Sequence, residues 1–486
     1  MAHLPRLRRT RLRLGAAVVG TSALVAFWPP GEARAAPIYG HHRSQPNVVL
    51  VLTDDQRWDT LWAMPTVQRE LVRRGVSFGN AFVVNPLCCP SRVSILTGRY
   101  SHSTGVYGNK PPAGGFHAFR DRSTVATWME AAGYETAYIG KYLNGAPAEY
   151  VPPGWERWIS FSDEPSFYAY GLNVDGAVRR HPRRPGGHST DVLGEKAVEF
   201  IRATSDRPFF LVFAPYAPHY PATPAPRHAD TFRTLKPWRP PSYDEPDVSD
   251  KPLWLRTQPR LGTRERALDR FRRKQYASLL GVDEAVGNIV AALRREDRLN
   301  NTVIIFTSDN GLLWGEHRVS RAKWAAYEES IRVPLVIRYD NLVVQPRTDR
   351  RLVANIDLAP TIAELAGAYA GNADGRSLVS ILTSPTTGWR RSLLIEHLVS
   401  GPARLSRPIP TYCALRTAGL KYVAYATAEE ELYDLEADPH ELDNRASDPD
   451  YRDRLLGMRK RLKAKCVPPP PGFTTKWIPT RPRSRR

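Results

Sequence analysis

Asn47-Val48-Val49-Leu50-Val51-Leu52-Thr53-Asp54-Asp55 is an apolar, β-branched run that stops on two carboxylates. Such a run without polar alternation reads as a strand buried on both faces, as found inside an α/β sheet. A second run of the same character, Thr302-Val303-Ile304-Ile305-Phe306-Thr307, ends in Ser308-Asp309-Asn310-Gly311. Ligands of open α/β sheets sit outside the carboxyl ends of the strands, so the two acidic ends are expected to converge despite their distance in sequence. Asp54, Asp55, Asp309 and Asn310 would then offer oxygen ligands only, which suits calcium or magnesium and disfavours zinc. Taken singly, each pair would serve as ordinary turn or capping chemistry.

Between the two runs lies Cys88-Cys89-Pro90-Ser91-Arg92-Val93-Ser94-Ile95-Leu96-Thr97-Gly98-Arg99. Adjacent cysteines do not close an unstrained bridge, and no nearby Cys or His pair completes a zinc site. Pro90 fixes the backbone, and Val93 to Leu96 is expected to form the first turn of a helix whose free N–H groups aim back at Cys88. That surrounding suits a nucleophile that handles anions.

The stretch resembles the signature of the type I, formylglycine-dependent sulfatases, Cys-x-Pro-Ser-Arg followed by Leu-Thr-Gly-Arg, with every position filled. The resemblance implies an alkaline-phosphatase-like α/β fold: a large mixed β-sheet flanked by helices, plus a smaller C-terminal domain with an antiparallel sheet. It implies that Cys88 is the precursor of a formylglycine nucleophile and that Asp54, Asp55, Cys88, Asp309 and Asn310 surround a calcium ion, with magnesium as the alternative. Arg92 is expected to stabilise the ionised nucleophile. Lys141, at the end of the expected strand Thr136 to Ile139, and His219, after the strand Phe209 to Phe213, match the family's sulfate-binding Lys and His. Lys323 matches the Lys that meets the ester oxygen, and His317 and Asn144 are further substrate-binding candidates.

Many arylsulfatases carry a His two residues after the Lys, where this chain has Leu143 followed by Asn144. Gly140-Lys141-Tyr142-Leu143-Asn144 instead resembles the N-acetylglucosamine-6-sulfatases and the extracellular heparan 6-O-endosulfatases. This points to a 6-O-sulfated N-acetylglucosamine unit in a glycan. The alternatives are a broad arylsulfatase, a phosphate or phosphonate ester hydrolase of the same superfamily, and a catalytically dead glycan-binding protein. The partners implied are the sulfated carbohydrate and a formylglycine-generating maturation enzyme, with no nucleic acid.

The rest of the chain sets the context. With 486 residues and 42% hydrophobic content it can bury a large core. Arg6 to Arg13, the apolar run Leu14 to Trp28 and Ala33-Arg34-Ala35 read as an export signal over residues 1–35, and Arg8-Arg9 is also compatible with a twin-arginine route. The protein is therefore expected outside the cytoplasm with no stable membrane span. Removing residues 1–35 takes away six Arg and one Glu and lowers the formal charge from +20 to +15, a balance that favours acidic ligands. The catalytic domain is expected over 36–385, the C-terminal domain over 386–466, and a solvated Pro/Arg-rich tail over 467–486. Once Cys88 and Cys89 are assigned by the resemblance, Cys413 and Cys466 remain, and an exported protein can pair them.

Leu61 to Arg74, Thr124 to Ala132, Leu268 to Leu293 and Tyr451 to Lys465 read as helices, and Val76 to Val84 as a strand. Short strands are expected near Ser392 to Glu396, Tyr412 to Arg416, Lys421 to Tyr425 and Glu431 to Asp434. The segment Pro221 to Leu261, rich in Pro and Arg, reads as a long ordered loop in which Trp238, Tyr243 and Trp254 could face a polyanionic sugar.

Overall fold

The computed structural model describes residues 45–343, 345–401 and 405–479. The expected export signal and the last seven residues of the tail lie outside them.

Among the described residues, twelve strands precede the C-terminal sheet: β1 (Asn47–Thr53), β2 (Val76–Phe82), β3 (Glu135–Gly140), β4 (Arg157–Phe161), β5 (Tyr170–Val174), β6 (Ala177–His181), β7 (Phe209–Ala214), β8 (Thr302–Ser308), β9 (Leu313–Trp314), β10 (Ser320–Ala322), β11 (Leu335–Arg338) and β12 (Arg347–Ala354). All but β9 and β10, which form a small ribbon, join one sheet in the order β12-β2-β11-β8-β1-β7-β3-β4-β5-β6. Its centre is parallel, with β1 between β8 and β7 and β3 between β7 and β4. Register pairs Thr53 with Ser308, so the two acidic ends lie side by side.

β1 is buried along its whole length and its alternating side chains feed two separate cores. Val48, Leu50 and Leu52 face a layer that includes Val93 and Leu96 of the helix Cys88–Thr97, Met129 of the helix Val125–Ala131 and Ile362 of the helix Leu358–Ala366. Val49 and Val51 face Leu193 of the helix Ser189–Ala203 and Leu279, Val282 and Val286 of the helix Glu265–Arg295. This two-sided cover explains why β1 reads as continuously apolar. Among the described residues, the 34-residue segment Gly262–Arg295 alone is long and apolar enough to cross a membrane, and it is mostly buried against this core.

Strands β13 (Leu393–His397), β14 (Tyr412–Arg416), β15 (Leu420–Tyr425) and β16 (Glu430–Asp434) form a fully antiparallel second sheet. One face packs on Leu455, Met458 and Leu462 of the helix Arg452–Lys465, which a Cys413–Cys466 disulfide ties to β14.

Four expectations change. The helix expected to begin at Val93 begins at Cys88, because Pro90 is tolerated in a first turn, where its missing N–H has no intrahelical partner to lose. Leu61 to Arg74 is not one helix but a 3₁₀ turn, an α turn and a π turn in succession, broken before Pro65. Trp254 is 1% exposed and belongs to the core. The tail is not wholly solvated: Phe473 and Ile478 are buried against Leu455 and Leu462, and Lys463 Nζ donates to the Ile478 carbonyl at 3.0 Å.

Candidate active site

Every expected site residue but His317 gathers beyond the carboxyl ends of the central strands. Asp54 and Asp55 leave β1, Asp309 and Asn310 leave β8, Lys141 leaves β3, and His219 follows β7. Cys88 is the first residue of its helix, after an extended Leu87. Asp55 takes a left-handed backbone (φ 64°), a conformation Asp tolerates, and its N–H donates to Asp309 Oδ1 at 3.2 Å.

The contacts form one network. Cys88 Sγ lies 3.7 Å from Asp54 Oδ1 and accepts from Lys323 Nζ at 2.8 Å. Lys323 also donates to Asp55 Oδ1, and Lys141 donates to Asp54 Oδ2. Arg92 Nε donates to Asp309 Oδ2 at 2.8 Å, its Nη2 lies 3.4 Å from Asp54 Oδ2, and its Nη1 donates to the Lys141 carbonyl. The observed bonds of Arg92 therefore run to carboxylates and to the Lys141 backbone rather than to Cys88. His219 Nε2 is 3.6 Å from Asp55 Oδ2, its Nδ1 lies 2.8 Å from the Tyr220 carbonyl, and its side chain is 24% exposed.

Asn310 Nδ2 donates to Asp55 Oδ1 at 2.6 Å, while its Oδ1 is buried with no hydrogen-bond donor among the described residues. An orphaned amide oxygen beside three aspartates is what a hard cation would use. The donor set fits a metal: one donor atom each from Asp54, Asp55, Cys88 and His219 lies within 4.8 Å of the others.

The electrostatics follow from burial. Burial alone would raise the carboxyls of Asp54 and Asp55, but Lys141 acting on Asp54 and Lys323 acting on Asp55 hold both below the ordinary range. Burial disfavours the charged form of both lysines, yet the adjacent aspartates keep them above theirs. Burial pushes the Cys88 thiol up to about 11 and Cys89 to about 12, so neither is a thiolate at neutral pH. That argues against catalysis by the unmodified sulfur.

Asn144 turns to the second cysteine: Cys89 Sγ accepts its N–H and donates to its Oδ1, both at 3.2 Å. His317 is not part of the cluster. Its ring is fully buried, stacked on Tyr327 at 3.9 Å between centroids, with Nδ1 2.6 Å from Glu245 Oε2, so no face is left for substrate. Three supporting residues escaped the sequence reading. Asn109 Oδ1 accepts the Cys89 N–H at 2.9 Å, Tyr138 donates to the Lys141 carbonyl, and Asn355 bridges Ser91 Oγ and the Val84 N–H. Asn355 lies 271 residues from Val84 in sequence, so no local pattern marks it as part of this support.

Comparison with known proteins agrees with this geometry. The Sulfatase family profile matches residues 46–368, and the profile described as N-sulphoglucosamine sulphohydrolase, C-terminal, matches residues 315–467. The chain is similar to the N-acetylglucosamine-6-sulfatase of Homo sapiens, 33% identical over 468 residues that span 86% of this chain and 84% of that protein. It is also similar to an arylsulfatase of Volvox carteri, 31% identical over 509 residues that span 91% and 76%. A solved structure in complex with its substrate D-glucosamine-2-N,6-O-disulfate shares the fold, with TM-score 0.78, 24% identity, and coverage of 89% of this chain and 100% of that one. Sulfatases act through a formylglycine and a bound metal ion, and a match of this extent, at this identity to a sulfatase along most of both chains, means that the chain belongs to the sulfatase family and is a sulfuric ester hydrolase.

Proposed function

We propose that the protein hydrolyses the 6-O-sulfate ester of N-acetylglucosamine units in a glycan, with Cys88 as formylglycine and calcium as the metal. The observation that carries the reading is the contact of one cysteine, at a helix N-terminus, with Lys323 and Asp54 inside a cluster of buried aspartates. Cys88, once converted to formylglycine, would supply a nucleophilic hydroxyl, and calcium would supply positive charge for the sulfate oxygens. Asp54, Asp55, Asp309 and Asn310 would hold the ion, and their oxygen chemistry favours calcium or magnesium over softer metals.

The remaining roles belong to this chain's side chains. Lys323, in contact with Cys88, and Lys141, held on Asp54, are fixed ammonium groups that offset charge developing on the transferred sulfate. His219, the more exposed member, keeps a neutral ring, because burial lowers its pKa more than Asp55 and Asp54 raise it. Its Nδ1–H is directed to the Tyr220 carbonyl, which leaves Nε2 as a proton acceptor, 3.6 Å from Asp55 Oδ2. Arg92 acts as a brace: it fixes Asp309 and the Lys141 loop and so holds the acidic cluster and the sulfate-binding ammonium in register.

The sugar assignment is supported by the Lys141-Tyr142-Leu143-Asn144 sequence and by the similarity to the human N-acetylglucosamine-6-sulfatase; the Volvox relative keeps the aryl ester as the competing reading. Export is part of the proposal and rests on the residue pattern of 1–35. The test pairs mass spectrometry of the Cys88 peptide with kcat/KM for N-acetylglucosamine-6-sulfate, galactose-6-sulfate and nitrophenyl sulfate at fixed salt. Conversion of Cys88 and preference for the glucosamine ester are expected. If the glucosamine ester is the poorest of the three, the sugar assignment falls and the sulfatase assignment stands.

A further inference from the structure

A cavity of about 470 Å³, within the size range of small-ligand sites, is lined by the sequence neighbours of Cys88 and Lys323. Two of its walls come from residues next to the chemistry: Leu87 precedes Cys88, and Trp324 follows Lys323. Asn109, whose Oδ1 takes the Cys89 N–H, joins the lining with Lys110, while Val399 and Ser400 close the opposite side.

Trp324 is held there at a cost. Its φ is 74°, in the left-handed region that a bulky side chain rarely adopts. Its N–H donates to the Pro86 carbonyl at 3.1 Å and its carbonyl accepts from Tyr412 Oη at 2.7 Å, so bonds on both sides enforce the conformation. Strained residues of this kind concentrate where a side chain must be presented to a ligand. A half-buried indole on the wall of a cavity is a platform for the face of a sugar ring, and Val399, 52% exposed, offers a second apolar contact at the rim.

Lys110 supplies charge. It is exposed, and among the described residues it has no carboxylate partner, whereas Lys141, Lys251, Lys323 and Lys421 all have one. An uncommitted ammonium on the rim of the cavity favours an anion, and on the glycan reading the ester sulfate is met by Lys141 and Lys323.

We propose that this cavity is the saccharide subsite: the sulfated sugar packs on the Trp324 ring, and Lys110 meets an anionic group on the neighbouring sugar. The substrate is then an acidic oligosaccharide rather than an isolated monosaccharide ester. This rests on the glycan reading of the active site.

The experiment compares wild type, Lys110→Ala and Lys110→Arg on two esters. One is N-acetylglucosamine-6-sulfate, and the other is a disaccharide in which that unit is joined to a uronic acid. Lys110→Ala is expected to lower kcat/KM about tenfold on the disaccharide, mainly through KM, and no more than about twofold on the monosaccharide, with Lys110→Arg recovering most of the loss. Trp324→Ala is expected to raise KM for both sugars more than for nitrophenyl sulfate, with Trp324→Phe intermediate. Equal losses of Lys110→Ala on the two sugar esters, or no loss on either, overturn the subsite while leaving the glycan reading intact. If wild type cleaves nitrophenyl sulfate but neither sugar, the glycan reading is overturned and the subsite with it.

Discussion

Lys323 Nζ lies 2.8 Å from Cys88 Sγ and at the same time donates to Asp55, so one ammonium links the residue at the helix N-terminus to the carboxylate at the end of β1. Cys89, the next residue, faces Asn144 instead. Cys88→Ala is therefore expected to abolish turnover of nitrophenyl sulfate with little change in melting temperature. Cys89→Ala, which removes two bonds to Asn144 worth together about 2 kcal/mol, is expected to lower activity by no more than about 30-fold. Equal loss in two folded variants would contradict the assignment of Cys88.

The orphaned Oδ1 of Asn310 makes a separate prediction about metal. Asn310→Ala removes that oxygen and the bond to Asp55, so calcium affinity measured by titration calorimetry should fall by roughly 10- to 100-fold, the size typical for loss of a supporting group. Treatment with a chelator should inactivate wild type, and added calcium should restore it at lower concentration than in the variant. A variant that binds calcium as wild type does would remove Asn310 from the site.

Much of this was legible in the sequence, for identifiable reasons. β1 and β8 are buried on both faces, so their composition alone marks them as central strands, and the carboxylates at their ends follow from the geometry of parallel sheets. β4, β5 and β6 were not foreseen: β6, Ala177–His181, is a mostly exposed edge strand with two arginines, and nothing in its pattern distinguishes it from a loop. His317 misled because Gly315-Glu316-His317 lies near Lys323 in sequence. Its left-handed backbone and its bond to Glu245 turn the ring into the space beneath Tyr327. Long-range partners of this kind, 72 residues apart, leave no local trace.

That buried pair carries a pH dependence. Burial raises the Glu245 carboxyl from 4.5 to about 7 despite Lys251, and burial lowers His317 to about 3, so the imidazole is neutral across the working range. Between about pH 4.5 and pH 7 the folded protein keeps a proton on Glu245 that the unfolded chain has lost. Stability contributed by that proton is present below pH 4.5 and is lost as pH rises to about 7, by up to roughly 3 kcal/mol. Glu245→Gln removes the titration, so melting temperature should fall less between pH 5 and pH 7.5 in the variant than in wild type. Other buried acids titrate in both proteins and cancel in that difference; identical slopes would refute the role of Glu245.

Gly140 tests whether the position of Lys141 depends on the backbone just before it. At φ 132°, an added Cβ would fall 1.9 Å from the Ala214 carbonyl oxygen, the same atom that accepts the Lys141 N–H at 2.8 Å. Gly140→Ala must therefore part β3 from β7 at the point where Lys141 enters the site, and it moves the ammonium off Asp54. Gly133 is the control: it also has positive φ, 86°, but nothing lies within 4 Å of an added Cβ. Gly133→Ala should cost only the backbone strain, about 1–2 kcal/mol, with kcat unchanged. Gly140→Ala should cost more in stability, because both strain and collision apply, and in the folded fraction it should lower kcat by about 100-fold, since loss of one preorganised charge at the reacting group is worth about 3 kcal/mol. Folded Gly140→Ala enzyme with wild-type kcat would show that Lys141 reaches the sulfate without this register.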